Sequence, residues 1–422
     1  MAKVATPKAA PPAGAYASGQ TVTVTCSTVG STIFYTTDGS SPTHTAGTPT
    51  GTTSIYTTPL SISLGTTLKA LGYLVSDTDS NVLTAAYIQG YTVSGNLGKA
   101  GANATVAVIG NAVSGSNQDQ QEQICIPVTA DSSGNYTTPA LAPNTVVIPN
   151  YQIIPILFGV EFSPFNQTVI VTNANITGVN WTGPYSYYTL VQDFSDTCNR
   201  GGVTQNPAVG WTTSSASGTV PMEIVADAIQ CSQAGQIASA FPAGYTPQSD
   251  CYFSYTIVTM SRNDAVEMIL RDTTVGVQTG FESEFAATAG TNNATFQLND
   301  VASESALFTG YGFLPDEPDT EFTFNVGDQL VFVCRGISCY LFRVPVGTGT
   351  YVSLAAAQSV GVTLSPGISS ITISDIIGAT NLTSFKNIVG GFVQASSGPS
   401  GGGNSSWLSV AANNMLRGSR SH

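Results

Sequence analysis

Two carboxylates in the second half of the chain have a spacing that suits glycoside hydrolysis. Glu282 and Glu284 alternate along a segment with strand character, which puts both on one face about 6.5–7 Å apart. Two acids that close can act as the general acid and the nucleophile of a glycosidase. They can equally lie on a solvated strand edge or bind calcium. Asp264, Glu267 and Asp272 are alternative acids with no better spacing.

A serine or cysteine hydrolase is not indicated. The one Gly-x-Ser-x-Gly match, residues 398–402, lacks the strand-to-helix turn that exposes the serine in that motif. The only histidine besides the terminal one is His44, in a turn of the first ninety residues. A nucleophilic serine or cysteine needs a histidine base beside it, and the sequence offers none in the right context.

An acidic run is the candidate metal site. Residues 315–321 contain four carboxylates, of which Asp316, Glu317 and Asp319 are the candidate calcium ligands. Such a run is more often a solvated loop. Calcium is therefore possible, and no other cofactor is indicated.

Aromatic residues are the better candidates for ligand binding, because sugars stack on exposed rings. Most rings in a β-sandwich fill its core. Tyr311 and Phe313, next to the acidic run, are the pair that we expect to be exposed, and Trp211 and Tyr245 are further candidates.

The composition indicates an all-β protein with an uncharged polar surface. Only 9% of the 422 residues are charged while 42% are hydrophobic, and the scarcity of Lys, Glu and Arg disfavours helices. The net charge of −13 argues against nucleic acid, whose binders neutralise phosphates with Lys and Arg. The sequence contains no run of 18 apolar residues, so it predicts no membrane span.

The two ends of the chain bear on its location. No secretory signal follows Met1, and residues 418–422 indicate a vector tag remnant. With a tag at one end, a signal peptide can have been removed from the other. The composition suits an extracellular or cell-surface protein, and a leaderless virion protein is the alternative.

The first ninety residues predict a small β-sandwich of short strands between Asp-Gly and Ser-Pro turns. YTTDGSSPT at 35–43, TTLKAL at 66–71 and TAAY at 84–87 resemble the immunoglobulin-like domain at the C-terminus of chitobiase and hexosaminidase enzymes. The resemblance implies an accessory module, 1–90, without catalytic residues.

Residues 91–183 form a second predicted module. Asp131, Gly134 and Tyr136, followed by Phe-Ser-Pro at 162–164, stand in an order that resembles the carboxypeptidase-regulatory-like β-sandwich of bacterial surface proteins. The resemblance implies a spacer.

Residues 187–417 form the largest predicted module. Asp-Phe at 193–194, Arg200, Trp-Thr at 211–212, Val-Gly-Asp-x-Leu at 326–330 and Gly-Gly-Phe-Val-Gln-Ala at 390–395 follow an order that resembles concanavalin A-like lectin and glucanase jelly rolls. The glucanase motif of that family has three acids in the pattern E-x-D-x-x-E, and Glu282-Ser-Glu284 lacks the rest of it.

Residues 324–344, FNVGDQLVFVCRGISCYLFRV, predict the β-hairpin on which this module closes. Cys334 and Cys339 flank its four-residue connection, 335–338, and directly opposed positions lie about 4.5 Å apart in a non-hydrogen-bonded pair. We therefore predict a disulfide between them. None of the seven cysteines forms a CxxC pair, which argues against zinc.

Together these patterns predict an all-β chain of three consecutive β-sandwich modules, two spacers and a jelly roll. We favour a non-catalytic glycan-binding or adhesion protein at a cell surface, with a virion or phage receptor-binding part as a variant of that function. A polysaccharide hydrolase or lyase, and a structural self-assembling surface protein, are the alternatives. The negative charge favours a neutral polysaccharide or cell-surface glycan as the partner.

Overall fold

The computed structural model describes most of the chain, and its described residues are nearly all β. They comprise 2–111, 123–145, 150–205, 208, 210–213, 219–220, 222–233, 237–243, 249–259, 265–272, 281–287, 293–300, 308–311, 322–323, 325–359, 368–374 and 384–398. Within them a single 3₁₀ turn, Lys99–Gly101, is the only helical element. The all-β prediction is confirmed.

The first ninety residues form two facing sheets. Their strands are β1 (Lys8–Ala10), β2 (Gly14–Tyr16), β3 (Gln20–Thr25), β4 (Thr32–Thr36), β5 (Thr43–Thr45), β6 (Thr48–Thr50), β7 (Ser54–Ile55), β8 (Leu60–Ile62), β9 (Thr66–Tyr73) and β10 (Leu83–Gln89). The sheets have the orders β1-β3-β8 and β2-β10-β9-β4-β7, with β5 and β6 as a separate hairpin. Alternate residues of β3 and β9, among them Val22, Val24, Leu68 and Ala70, fill the core between them.

Residues 91–183 contribute shorter strands. These are β11 (Ser94–Asn96), β12 (Thr105–Asn111), β13 (Gln123–Thr129), β14 (Asn135–Thr137), β15 (Tyr151–Ile156), β16 (Val160–Glu161) and β17 (Gln167–Val169). The turn predicted from Asp131 and Gly134 is present: the Asp131 carboxylate accepts the Ser133 N–H at 2.8 Å, and Gly134 has φ of 82°. Tyr136 follows on β14, with its hydroxyl donating to the Val179 carbonyl at 2.7 Å.

The rest of the chain builds two larger sheets. Its strands are β18 (Ser186–Asp196), β19 (Trp211–Thr213), β20 (Thr219–Val220), β21 (Met222–Val225), β22 (Ala228–Cys231), β23 (Ile237–Pro242), β24 (Cys251–Thr259), β25 (Ala265–Asp272), β26 (Phe281–Ala287), β27 (Asn293–Asp300), β28 (Phe308–Tyr311), β29 (Phe322–Thr323), β30 (Gln329–Arg335), β31 (Ser338–Val344), β32 (Val352–Ser359), β33 (Ile368–Ser374) and β34 (Ser384–Ser396).

The larger of these is a ten-stranded sheet of order β16-β18-β34-β24-β30-β31-β32-β28, extended by β21 and β22. The other is an eight-stranded sheet of order β19-β23-β33-β25-β26-β27-β29, with β20 beside β23. One apolar core joins Phe253, Phe332 and Leu341 of the ten-stranded sheet to Trp211 and Leu270 of the other. We call the side of the ten-stranded sheet that bears this core its first face.

The hairpin predicted at 324–344 is β30 and β31, at the centre of the ten-stranded sheet. Its turn is shorter than the sequence suggested, because Arg335 and Ser338 already pair and only Gly336 and Ile337 link the strands. Gly336 has φ of 54°, as the first central residue of a type II′ turn requires. Cys334 and Cys339 lie directly opposite each other as predicted, and both are thiols in this structure. The disulfide between them stays a prediction.

A buried carboxylate fixes the turn that leads into the hairpin. Asp328 is fully buried, accepts the N–H groups of Asn325 and Val346, and pairs with the Arg343 guanidinium at 2.8 Å. Removing one partner of such a pair leaves an unpaired charge in the core. The Val-Gly-Asp segment is therefore a structural corner.

The second face of the ten-stranded sheet is buried over half its length. Val331, Val333, Tyr340 and Phe342 share an apolar cluster with side chains that precede residue 187, namely Ala107, Ile109, Ile154, Ile156 and Phe165. Where the second face is covered, β24 and β30 carry apolar residues in both alternating sets, as strands buried on both faces do.

Two compact units emerge from the packing. One comprises Met1–Asn96, Asn135–Tyr151 and Thr168–Asn180, and the other Leu97–Gly134, Gln152–Gln167 and Trp181–His422. The boundary at 90 and the one at 183–187 stay predictions.

Candidate functional site

The acids singled out in the sequence lie on adjacent strands of the eight-stranded sheet. Glu282 and Glu284 are two residues apart on β26, and the backbone register puts Glu267 of β25 opposite Glu284. Asp272 ends β25. The structure describes the backbone of these strands, while Asp264 and the side chains of the four other acids lie outside the described residues.

The calcium candidates and most aromatic candidates also fall outside the described parts. Asp316, Glu317, Asp319, Phe313 and Tyr245 are not described. Tyr311 is the last residue of β28, an edge strand, and its backbone alone is described. Elsewhere in the described chain, no three His, Cys, Asp or Glu side chains group as a metal site would.

Trp211 is a core residue, contrary to its expected role on the surface. The residue is 9% exposed, and its ring packs edge-on against Phe194 with 5.6 Å between the ring centroids. The indole N–H donates to the Asp196 carboxylate at 2.9 Å, and Arg200 binds the same carboxylate through two nitrogens at 3.0 Å each. Phe194, Arg200 and Trp211, one residue from each of three predicted motifs, thus meet in a network whose carboxylate, Asp196, belongs to none of them.

His44 is also held in a structural role. The Gly47 N–H donates to Nδ1 at 3.2 Å, and Nε2 lies 2.9 Å from the Asp79 carboxylate. The ring stacks on Phe34 and lies against Tyr73. Because Nδ1 accepts a hydrogen bond, Nε2 carries the proton and donates to Asp79. Neither nitrogen is left to serve as a base.

At one end of the second face lies a mostly polar area, although Val331 and Val389, which both stand opposite Ser254, belong to the apolar cluster or pack against it. We name this area the polar strip, and it spans the adjacent strands β18, β34, β24 and β30. Directly opposed residues of an antiparallel pair share a face, so the register groups its members. They are Gln192, Ser195, Lys386, Ser254, Thr256 and Gln329.

Hydrogen bonds join two pairs of these side chains. The Gln192 amide donates to the Ser195 hydroxyl at 3.1 Å, and the Gln329 amide donates to the Ser254 hydroxyl at 3.2 Å. Ser254 in turn donates to the Val389 carbonyl at 3.3 Å. Ser254 is fully buried at the floor of the strip, whereas Gln192 and Ser195 are exposed.

A bulge and a glycine pair shape this region. The register between β18 and β34 shifts between Gln192 and Phe194, which returns Ser195 to the second face. The bulge brings the Val191 carbonyl so close to Gly391 that a Cβ there would overlap it. Gly390 and Gly391 therefore allow the strands to approach where a side chain would not fit.

The strip is polar but close to neutral in charge. Its amides and hydroxyls can each donate and accept hydrogen bonds. Lys386 supplies one exposed positive charge, which lies close enough to Asp227 to affect the pKa of that carboxyl group. Hydrogen bonds from the Arg200 and Gly202 backbone N–H groups, and to a smaller degree Lys386, hold the pKa of Asp227 below its ordinary value.

The size of the strip matches an extended ligand. Four strands spaced about 4.8 Å apart give a width of about 14 Å, and alternate residues along a strand add about 7 Å. That area suits a short oligosaccharide with hydroxyl groups along both edges.

Sequence reasoning missed the strip, although one signal was available. Along β24, the residues of one alternating set change from the aromatic Tyr252 to the small hydroxyl-bearing Ser254 and Thr256. The residues between them, Phe253 and Tyr255, are both aromatic. When one side of a strand changes from apolar to polar residues along its length, that face of the sheet is expected to be covered at one end and open at the other. The partners on β18 and β34 could not be found without the register.

Comparisons with known proteins give one family match. Residues 11–84 match the chitobiase/beta-hexosaminidase C-terminal domain, which confirms the resemblance inferred for the first module. No match was found among curated proteins. The carboxypeptidase-regulatory-like resemblance of the second module stays a prediction.

Several solved structures are similar to less than half of this chain. Carbohydrate-binding module CBM66 from Bacillus subtilis is 14% identical with a TM-score of 0.27, over 43% of this chain and 94% of that one. The VIP36 exoplasmic/lumenal domain bound to Ca²⁺ and Man3GlcNAc is 10% identical with a TM-score of 0.33, over 46% and 89%. Lectin II from Ulex europaeus is 11% identical with a TM-score of 0.28, over 48% and 100%.

Membrane-spanning helices are absent from the residues that the structure describes. None of the helical structure in them is long and apolar enough to cross a bilayer.

Proposed function

We propose that this chain is a carbohydrate-binding protein that holds a neutral, hydroxyl-rich glycan at the polar strip without cleaving it. The observation that carries the proposal is the set of amide and hydroxyl groups that four adjacent strands bring together on one sheet face, where Gln192 and Ser195 are exposed. A sheet surface positions such groups rigidly, so little ordering is required when a ligand binds. Each sugar hydroxyl can then exchange water for a protein donor or acceptor.

The charge and the first module support a neutral glycan. A net charge of −13 repels anionic polymers and leaves neutral glucans, chitin or mannans as the favoured class. The match of residues 11–84 to a domain of chitobiase and beta-hexosaminidase agrees with such a ligand by analogy. We extend the proposal to adhesion at a cell surface, or on a virion that binds a glycan receptor. Both extensions rest on the composition.

A glycan array with the full chain, followed by calorimetry on each hit, tests the binding site. We expect Gln329→Ala to weaken binding roughly tenfold, because it removes a ligand-facing amide worth about 1–1.5 kcal/mol. Gln394→Ala is the matched control, since Gln394 is an exposed amide on β34 outside the strip. Hits that bind both variants as tightly as the wild type would contradict a site at the strip.

Tyr311 offers a second location for the same function. If its ring stacks on the sugar, Tyr311→Ala should also weaken binding roughly tenfold, through loss of about 1–2 kcal/mol. A loss in Tyr311→Ala together with none in Gln329→Ala would move the site to the edge strand β28.

A hydrolase is the second candidate, and the register of β25 and β26 is the observation that favours it. Glu267 stands opposite Glu284, and Glu282 lies two residues away, so three carboxylate residues occupy adjacent strand positions. A glycosidase needs two such acids flanking the bond that it cleaves. Glu282→Gln should leave affinity unchanged if the protein only binds. Sugar release by the wild type that vanishes in Glu282→Gln would replace the binding proposal.

A further inference from the structure

Three cysteines form a row across the centre of the ten-stranded sheet. The register puts Cys251 of β24 opposite Cys334 of β30, and Cys334 opposite Cys339 of β31. All three have 0% exposure and belong to the core on the first face. The central residue, Cys334, therefore has a cysteine neighbour on each side, and the structure holds all three as thiols.

The hairpin geometry distinguishes the two neighbours. Arg335 and Ser338 flank a two-residue turn, so they form a hydrogen-bonded pair, and the next pair, Cys334 and Cys339, is non-hydrogen-bonded. In a sheet the N–H and C=O of one residue point to the same side, so those of Cys334 point towards Cys251. Cα atoms are about 4.5 Å apart in the non-hydrogen-bonded pair and about 5.5 Å apart in the other, with the side chains closer in the first.

We infer that Cys334 and Cys339 are a thiol oxidation site, closed to a disulfide by a low-molecular-weight disulfide such as oxidised glutathione. Cys251 stays a thiol, although it is equally adjacent in register. The inference does not depend on glycan binding. It follows from the register, the turn and the burial of the three side chains.

The reaction is an exchange in two steps. The Cys334 thiolate attacks one sulfur of glutathione disulfide, whose S–S bond breaks and releases a glutathione thiolate. The Cys339 thiolate then attacks the Cys334 sulfur of the mixed disulfide and displaces the second glutathione. The two cysteines lose two electrons and two protons, and one glutathione disulfide becomes two glutathione thiols.

Because the thiols are buried, the exchange can occur only at stages when the hairpin is open. Since neither thiol is exposed in the folded sheet, the oxidant reaches them while the hairpin is open, during folding or unfolding. Oxidation should therefore be fast on refolding and slow in the native protein. The closed loop is short, so the disulfide should raise the folding equilibrium constant roughly thirtyfold.

Tryptic mapping tests the pairing directly. The chain is refolded from denaturant in a mixture of oxidised and reduced glutathione, alkylated and digested without reduction. Cleavage after Arg335 separates Cys334 from Cys339, so their disulfide joins the peptide that ends at Arg335 to peptide 336–343. We expect this linked pair in the wild type and in Cys251→Ala, and its loss in Cys339→Ala.

Two outcomes would overturn the inference. One is a link between Cys251 and Cys334 in the wild type. The other is alkylation of both Cys334 and Cys339 after refolding in the oxidising mixture. The wild-type digest decides either case, so the test stands even if a cysteine variant folds poorly.

Discussion

The two halves of the second face differ although the same strands build them. In the covered half, Tyr252 and Val333 lie in a cluster with Ile109 and Ile154. Further along β24 and β30 the same face carries Ser254, Thr256 and Gln329, with Val331 of the apolar cluster opposite Ser254. Apolar area removed from water stabilises the first half, while in the second half Ser254 is buried and Thr256 and Gln329 stay partly exposed. The position where the chemistry changes marks the edge of the candidate site.

The largest expected effect is on the covered half. Phe342→Ala should lower the free energy of unfolding by about 3–5 kcal/mol, because it removes a fully buried ring and leaves a cavity. Urea denaturation measures the loss. Glycan affinity of the folded fraction should be unchanged. A parallel loss of affinity would mean that the two halves do not act separately.

A second substitution tests whether residues before 187 stabilise the ten-stranded sheet. Ile154 belongs to the same apolar cluster as Val331 and Phe342, although the sequence places it in the second module. Ile154→Ala should lower the stability of this sheet by about 2–4 kcal/mol. Hydrogen exchange at β30 and β31 reports on that sheet alone. Unchanged protection there would support independent modules with a boundary at 183–187.

The sequence was sufficient for the β class and for the hairpin, because strand formers and turn residues act locally. It misplaced Trp211, since the partners that bury it, Phe194 and Asp196, lie fifteen or more residues away in the chain. The packing of Ile109 and Ile154, within the predicted spacer 91–183, against β30 and β31 was also not predicted. Long-range pairings between strands decide both outcomes, and no local pattern encodes them.

Substitutions in the polar strip should have the opposite effect to those in the covered half. Thr256→Val keeps the shape of the side chain and removes a hydroxyl that is half-exposed. Glycan affinity should fall about fivefold, which corresponds to roughly 1 kcal/mol for one lost hydrogen bond. The free energy of unfolding should change by less than about 0.5 kcal/mol, as for most surface substitutions. Denaturation and calorimetry on the same sample check both values.

The smallest expected effects are on the pH dependence of stability, and they arise from pKa shifts at two ion pairs. Burial raises the pKa of Glu161, and Arg335, 2.9 Å away, offsets this only in part. Burial also acts to raise the pKa of Asp196. The hydrogen bonds from Arg200, Trp211 and the Cys198 N–H outweigh that effect, and the pKa of Asp196 is lowered.

These opposite shifts give opposite pH dependences. The contribution of Glu161 to the free energy of unfolding is present below its ordinary pKa and is lost as pH rises through the raised value. That of Asp196 is present above its ordinary pKa and is lost as pH falls through the lowered value. Relative to the wild type, and as pH rises across the acidic range, Glu161→Gln should therefore gain stability and Asp196→Asn should lose it. Urea denaturation across that range measures both, and two differences that slope the same way would contradict the assignment.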